Sequence, residues 1–111
     1  MVSVAVAATP GSRRDATQTL QTTAQFKTHT QDQGLDLFRA VCRHRSKRVF
    51  ACRLRAVSVD RRWLGRGTMT YRGNQFWRYR LRGRIEDCGP SGCQRTGTFR
   101  WRGTIGSANL L

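Results

Sequence analysis

One segment of the chain alternates apolar and basic side chains in the way that is typical of a β-strand with two different faces. Between Phe76 and Ile85 the apolar positions are Trp77, Tyr79 and Leu81, and the positions between them are Arg78, Arg80, Arg82 and Arg84. Successive side chains of a strand point to opposite faces of its sheet. A later segment repeats the pattern, with Phe99 and Trp101 alternating with Arg100 and Arg102. The sequence therefore predicts a sheet with one apolar face and one arginine-rich face.

Two earlier segments predict further strands of this sheet. Phe50, Cys52 and Leu54 alternate with Arg53 and Arg55. The next strand is Thr68–Tyr71, and the pair Gly73–Asn74 that follows favours a tight turn. A strict two-residue turn there would place Met69 on the arginine-rich face. Because burial decides register, we expect a bulged turn that pairs Met69 with Trp77.

The predicted apolar face needs a cover, because an open aromatic patch of this size would favour aggregation. Its expected members are Phe50, Leu54, Trp77, Tyr79, Leu81, Phe99 and Trp101. The only segment left to cover it is the region 16–43, as a helix. The predicted class is therefore α+β, with one N-terminal helix packed on a curved antiparallel sheet of four or five strands. A small all-β barrel is the alternative.

Residues 35–44 fit two kinds of secondary structure. Leu35, Phe38, Val41 and Cys42 follow helical spacing, and basic residues come after them, as in the last turn of a helix. This pattern favours a helix. The alternative is a strand over Phe38–His44 that pairs with Val49–Leu54 as a hairpin.

Four cysteines, at the spacings C-x9-C and C-x4-C, predict two disulfides. We expect the pairs Cys42–Cys52 and Cys88–Cys93, because each closes a short local loop. Neither spacing fits the C-x2-C knuckles of a zinc ribbon, so no metal and no cofactor are expected. Disulfides persist in oxidising compartments, and the chain is therefore predicted to be exported to the periplasm, the cell surface or the exterior.

The N-terminus supports the same prediction. Residues 2–8 are small and apolar, like the end of a signal peptide. Residues 1–14 are expected to be a flexible tail or a signal-peptide remnant, and residues 15–111 a single disulfide-stapled domain. No run of about 18 apolar residues is present, so no transmembrane segment is predicted.

Part of this pattern resembles a known family. The run Ala40-Val41-Cys42, a basic turn, the run Phe50-Ala51-Cys52-Arg53-Leu54 and a hairpin with aromatic and basic alternation are similar to small exported bacterial cystatin-like domains. The resemblance covers roughly residues 35–85. It implies an exported α+β domain, and it implies no activity, since none of these residues is a functional signature.

The charge predicts the sign of the partner. The chain carries 21 Lys+Arg against 6 Asp+Glu, a formal net charge of +15. We expect a non-enzymatic module that binds an anionic polymer or surface: nucleic acid, a cell-wall polymer, acidic lipid or an acidic protein. The candidate anion-binding residues are Arg53, Arg55, Arg78, Arg80, Arg82, Arg84, Arg100 and Arg102. Trp63 and Phe76 are candidates for stacking on nucleic-acid bases.

Two other functions stay open at this point. The first is a small secreted ribonuclease-type enzyme that uses His29 or His44 for acid–base chemistry. The second is a structural domain without a specific ligand, whose arginines only keep the protein soluble. The chain has no nucleophile motif, so no catalytic residue is assigned, and the sequence does not indicate an oligomeric state.

Overall fold

The computed structural model describes residues 9–29, 31–32 and 34–108. One helix, α1 (Arg13–Thr28), precedes five strands. The strands are β1 (Leu37–His44), β2 (Val49–Val57), β3 (Arg61–Gly73), β4 (Phe76–Gly89) and β5 (Gly92–Gly106). Residues 1–8, which make up most of the predicted tail or signal remnant, lie outside the described residues. The boundary expected after residue 14 falls within the first turn of α1.

The five strands form one antiparallel meander in the order β1-β2-β3-β4-β5. The predicted α+β class is wrong, because strands make up 60% of the described residues and the single helix only 16%. The small-barrel alternative is also wrong, because β1 and β5 are the two edges of an open sheet. The strands are longer than the sequence suggested, since 13 to 15 residues lie in each of β3, β4 and β5.

The helix predicted over residues 35–44 is a strand instead. β1 pairs with β2 through Phe38↔Ala56 and Cys42↔Cys52, as the hairpin alternative predicted. Both predicted disulfides, Cys42–Cys52 and Cys88–Cys93, are formed, which confirms the pairing. The helical spacing misled because only alternate residues of β1 face inward, and Val41 is exposed.

Helix α1 forms in a Thr- and Gln-rich segment of modest helix propensity. Ser12 is the N-cap, and its hydroxyl accepts a hydrogen bond from the backbone N–H of Asp15 at 3.1 Å. Inside the helix, the buried hydroxyls of Thr23 and Thr28 donate to the carbonyls four residues earlier. These bonds let threonine lie in the core without an unsatisfied polar group.

The β3–β4 turn contains the predicted bulge, but the register differs by two residues. Tyr71 pairs with Trp77, and Met69 pairs with Tyr79 rather than with Trp77. The turn residues are Asn74 and Gln75, both at positive φ, which matches the twist that two-residue hairpin turns require. The bulge still places Met69 and Tyr71 on the apolar face, as burial demands.

The core lies between α1 and one face of the sheet. All seven side chains expected on the apolar face are buried, which confirms that prediction. Ala16, Leu20 and Ala24 of the helix join them. The rings of Trp63, Phe99 and Trp101 pack together at the β5 side of the core. The other face of the sheet is left without a covering element among the described residues.

Candidate anion-binding face

The strand registers collect arginines from all five strands on the uncovered face of the sheet. Cross-strand partners share a face, so each residue can be assigned from its pairing. We use the name arginine face for this surface, and it carries Arg39, Arg43, Arg53, Arg55, Arg62, Arg66, Arg78, Arg80, Arg82, Arg84, Arg95, Arg100 and Arg102. The eight arginines that the sequence predicted as anion-binding residues are all among them.

At the centre of the face, four arginines lie side by side on adjacent strands. The pairs Arg53↔Arg66, Arg66↔Arg82 and Arg82↔Arg100 form one line across β2, β3, β4 and β5. We call this line the central arginine row. Neighbouring strands are about 4.8 Å apart, so the row is about 14 Å long. Two unit charges at the spacing of neighbouring strands, about 4.8 Å, would repel by about 0.9 kcal/mol in water and by about 3.5 kcal/mol at an effective dielectric constant of 20.

The arginine side chains surround an open depression of about 920 Å³. Its lining includes all four members of the central row, Arg53, Arg66, Arg82 and Arg100. Val41 and Leu64 contribute apolar surface to the same depression. A smaller depression of about 310 Å³ lies beside it, next to Arg80 and the last strand. The face therefore offers a concave, cationic surface of ligand size.

Within the described part of the chain, one carboxylate lies among these arginines. Glu86 accepts hydrogen bonds from Arg62 Nε at 2.5 Å and from Arg84 Nε at 2.9 Å. These two hydrogen bonds, from Arg62 first and then Arg84, hold the pKa of Glu86 below its usual value. In the part of the chain that the structure describes, the ion pairs of the arginine face are confined to this end. The central row has no acidic partner there.

Three of the other acids are engaged elsewhere. Asp15 is buried in the core, and Asp32 accepts a hydrogen bond from the Trp63 indole at 3.0 Å. Asp87 pairs with Arg61 at 2.8 Å. The positive charge of the face is therefore left for solvent ions or for a ligand.

Arg66 is a member of the central row that the sequence did not single out, since the strand predicted there covered only Thr68–Tyr71. It lies between Gly65 and Gly67 in the middle of β3. Both glycines face the core, and a Cβ at Gly67 would lie 1.8 Å from the backbone oxygen of Arg80. These two inward positions require glycine, so the alternation of apolar and basic residues is not visible in this part of the sequence. A period-two test that accepts glycine as an inward residue would have found Arg66.

The two candidates for base stacking lie in different environments. Trp63 is 2% exposed and belongs to the core, so its ring is removed from the stacking candidates. Phe76 is 45% exposed and lies at the start of β4, on the side of the arginine face. It stands at the end of the strand, away from the central arginine row.

The two histidines are on separate elements. His29 is the C-cap of α1, and His44 is the last residue of β1, where its ring packs on Phe50 with 4.3 Å between centroids. Neither histidine has a hydrogen bond to an acid among the described side chains. The described residues also contain no group of three His, Cys, Asp or Glu that could hold a metal ion.

Comparison of the chain with known protein families, with characterised proteins and with solved structures finds no match. The resemblance to exported cystatin-like domains therefore stays a prediction. Over the ranges that the structure describes, the one helix lacks the length and apolar character needed to cross a bilayer.

Proposed function

We propose that the protein is a non-enzymatic, exported module that binds an anionic polymer or surface through the arginine face. The observation that carries this proposal is the central arginine row, four like charges on adjacent strands with no acidic partner among the described residues. Like charges directly opposite each other destabilise a sheet. A polyanion laid on the row would remove this repulsion, so binding and stability would be coupled.

The residue type supports an oxyanion as the ligand. The guanidinium group of arginine is planar and permanently charged, and it grips phosphate, sulfate or carboxylate groups through two parallel hydrogen bonds. All thirteen basic residues of the face are arginine, and the two lysines of the chain, Lys27 and Lys47, lie in α1 and the β1–β2 turn. Binding through such contacts releases counterions, so the affinity falls steeply with salt.

The disulfides support the exported location. All four cysteines are paired, and protein disulfides of this kind persist in oxidising compartments. The acidic polymers and surfaces available there include cell-wall polymers, lipid headgroups and released nucleic acid.

The test removes two neighbouring charges from the central row. Arg66→Gln/Arg82→Gln keeps side-chain length and polarity, and the matched control Arg13→Gln/Arg14→Gln removes the same charge from the exposed first turn of α1. Affinity for heparin and for a homopolymeric nucleic acid is measured across a salt series. The row variant is expected to lower the slope of log K against log salt by about two, roughly one for each lost contact.

The same two variants distinguish binding at a specific site from binding by net charge alone. If the row and control variants lose equal affinity, only net charge matters and the proposed site is wrong. The row variant is also expected to unfold at an equal or higher temperature than the parent, because cross-strand repulsion falls. Addition of heparin should raise the unfolding temperature of the parent protein more than that of the row variant.

A further inference from the structure

Exposed apolar side chains share the arginine face with the arginines. Leu37 is 60% exposed and Val41 is 62% exposed, and both lie on β1, on either side of Arg39. Their cross-strand partners, Val57 and Arg53, place both of them on the arginine face. The half-buried Leu64 extends this apolar surface inward from the edge strand.

This apolar surface distinguishes between the possible anionic partners. A soluble polyanion, such as a nucleic-acid backbone or a sulfated polysaccharide, presents charges and hydroxyls and would leave Leu37 and Val41 in water. Single-stranded nucleic acid would need aromatic platforms for its bases. The three tryptophans are buried, however, and Phe76 stands at the far end of β4. A second copy of the chain is excluded by charge, because two arginine faces would repel.

We infer that the partner of the arginine face is a membrane surface rich in acidic phospholipids. This inference rests on the proposed function and names its ligand. The arginines would bind the headgroup phosphates, while Leu37 and Val41 enter the boundary between the headgroups and the acyl chains, as apolar residues of interfacial proteins do. Arg39, which stands between them, would remain at phosphate depth because its long stem can reach past apolar surface.

Both kinds of contact would contribute measurably to the affinity. One basic residue near an acidic membrane surface raises the affinity about five-fold. Transfer of a Val or Leu side chain out of water raises it about ten-fold. The apolar contribution is insensitive to salt, whereas the contribution of the arginines is screened. The inference therefore predicts an affinity with a salt-sensitive part from the arginines and a salt-insensitive part from the apolar side chains. Binding to a soluble polyanion would show the salt-sensitive part alone.

The experiment compares vesicles of phosphatidylcholine mixed with phosphatidylglycerol, vesicles of phosphatidylcholine alone, and heparin. The apolar variant is Leu37→Thr/Val41→Thr, because threonine is polar and has the β-branched shape that strands favour. Its matched control is Phe26→Gln, which removes a 78% exposed apolar ring from α1, on the other side of the sheet. The charge variant is Arg66→Gln/Arg82→Gln.

The parent protein is expected to co-sediment with the acidic vesicles and not with the neutral ones. The apolar variant should bind the acidic vesicles ten- to a hundred-fold more weakly, on the order of ten-fold per side chain, and should bind heparin as the parent does. The Phe26→Gln control should match the parent on all three. The charge variant should lose affinity for both the acidic vesicles and heparin.

The outcomes separate the two proposals. If the apolar variant binds acidic vesicles as well as the parent, or the parent binds heparin and not vesicles, the membrane inference is wrong and the arginine face keeps its assignment. If the charge variant keeps full affinity for both ligands, the proposed function itself is wrong. A second measurement uses the unmodified protein and so does not depend on whether the variants fold. When the parent protein is injected beneath an acidic-lipid monolayer, the surface pressure should rise. A constant pressure would contradict insertion.

Discussion

A buried aspartate joins the helix to the start of β4 and to the residue after β5, and its replacement should show how strongly the helix and the sheet are held together. Asp15 is fully buried. Its carboxylate accepts hydrogen bonds from Gly11 N and from Trp77 Nε1, both at 3.0 Å. It also accepts hydrogen bonds from the hydroxyl groups of Ser107 and Thr19. One side chain therefore satisfies two N–H donors whose positions are fixed and two hydroxyls that can rotate.

The size of the loss depends on what replaces the carboxylate. In Asp15→Ala, the two N–H donors lose their acceptor, at a cost of about 1–3 kcal/mol each, so the free energy of unfolding should fall by about 3–5 kcal/mol. In Asp15→Asn, the amide oxygen can still accept from both N–H donors. The amide nitrogen can then donate to a hydroxyl of Ser107, since a hydroxyl accepts as well as donates. Only the strengthening of these hydrogen bonds by the carboxylate charge is lost, and the free energy of unfolding is expected to fall by about 1–2 kcal/mol.

Urea unfolding with intact disulfides, followed by circular dichroism, measures both losses. In a thermal melt, the unfolding temperature of the alanine variant should fall by about 12–40 °C, at roughly 4–8 °C per kcal/mol for a domain of this size. Asp36→Asn is the control, because it removes one acidic charge from the exposed segment before β1. An alanine variant that loses less than about 1 kcal/mol, or an asparagine variant as unstable as the alanine variant, would refute this account of Asp15.

Three further predictions follow from other parts of the fold. Gly67→Ala should destabilise the protein strongly, since its Cβ would lie 1.8 Å from a backbone oxygen of β4, whereas Gly89→Ala meets no atom within 4 Å and should be neutral in the same thermal melt. The lowered pKa of Glu86 means that its ionised form stabilises the fold above about pH 4.5, and that this contribution disappears as the pH falls through the folded-state pKa. Glu86→Gln should therefore lose less stability on acidification than the parent protein. If the stability of both proteins falls equally with pH, the result would count against the ion pairs of Glu86. Replacement of Cys42 and Cys52 by Ala should lower the free energy of unfolding by about 2–3 kcal/mol, the chain-entropy value for a loop of ten residues, and a loss below 1 kcal/mol would contradict this estimate.

The alternating segments of the sequence were sufficient to predict the two faces of the sheet. Trp77, Tyr79 and Leu81 are buried and the arginines between them are exposed, as the period of two required. The disulfide pairs also followed from the sequence, because each closes a short local loop. In these segments, local pattern and tertiary packing agree.

The pattern failed where side chains did not mark the buried positions. Val41 matched a helical stripe, yet the pairing of β1 with β2 decided its conformation. Two inward positions in the middle of β3 are occupied by Gly65 and Gly67, which leave no apolar signal. Helix α1 is rich in threonine, whose low helix propensity is offset by hydroxyl-to-backbone bonds that only the folded structure shows. The first two conflicts account for the wrong fold class and for the missed Arg66.

The candidate site was predicted only in part, and the reason is the same. The arginines of β4 and β5 alternate clearly, but the central row depends on the register between four strands, and a shift of one residue would place Arg66 on the core side. The sequence also gave no sign that Leu37 and Val41 are exposed. Their exposure became visible only when residues 37–44 were seen as an edge strand.

The most direct test of the central claim observes the arginine side chains themselves. In a nitrogen-15 NMR titration of the protein with heparin, the Nε–H signals of Arg53, Arg66, Arg82 and Arg100 should shift early and together. The signals of Arg13 and Arg14, in the first turn of α1, should stay in place until the ligand is in large excess. Equal shifts for both groups, or shifts confined to the helix, would contradict the assignment of the arginine face as the binding surface.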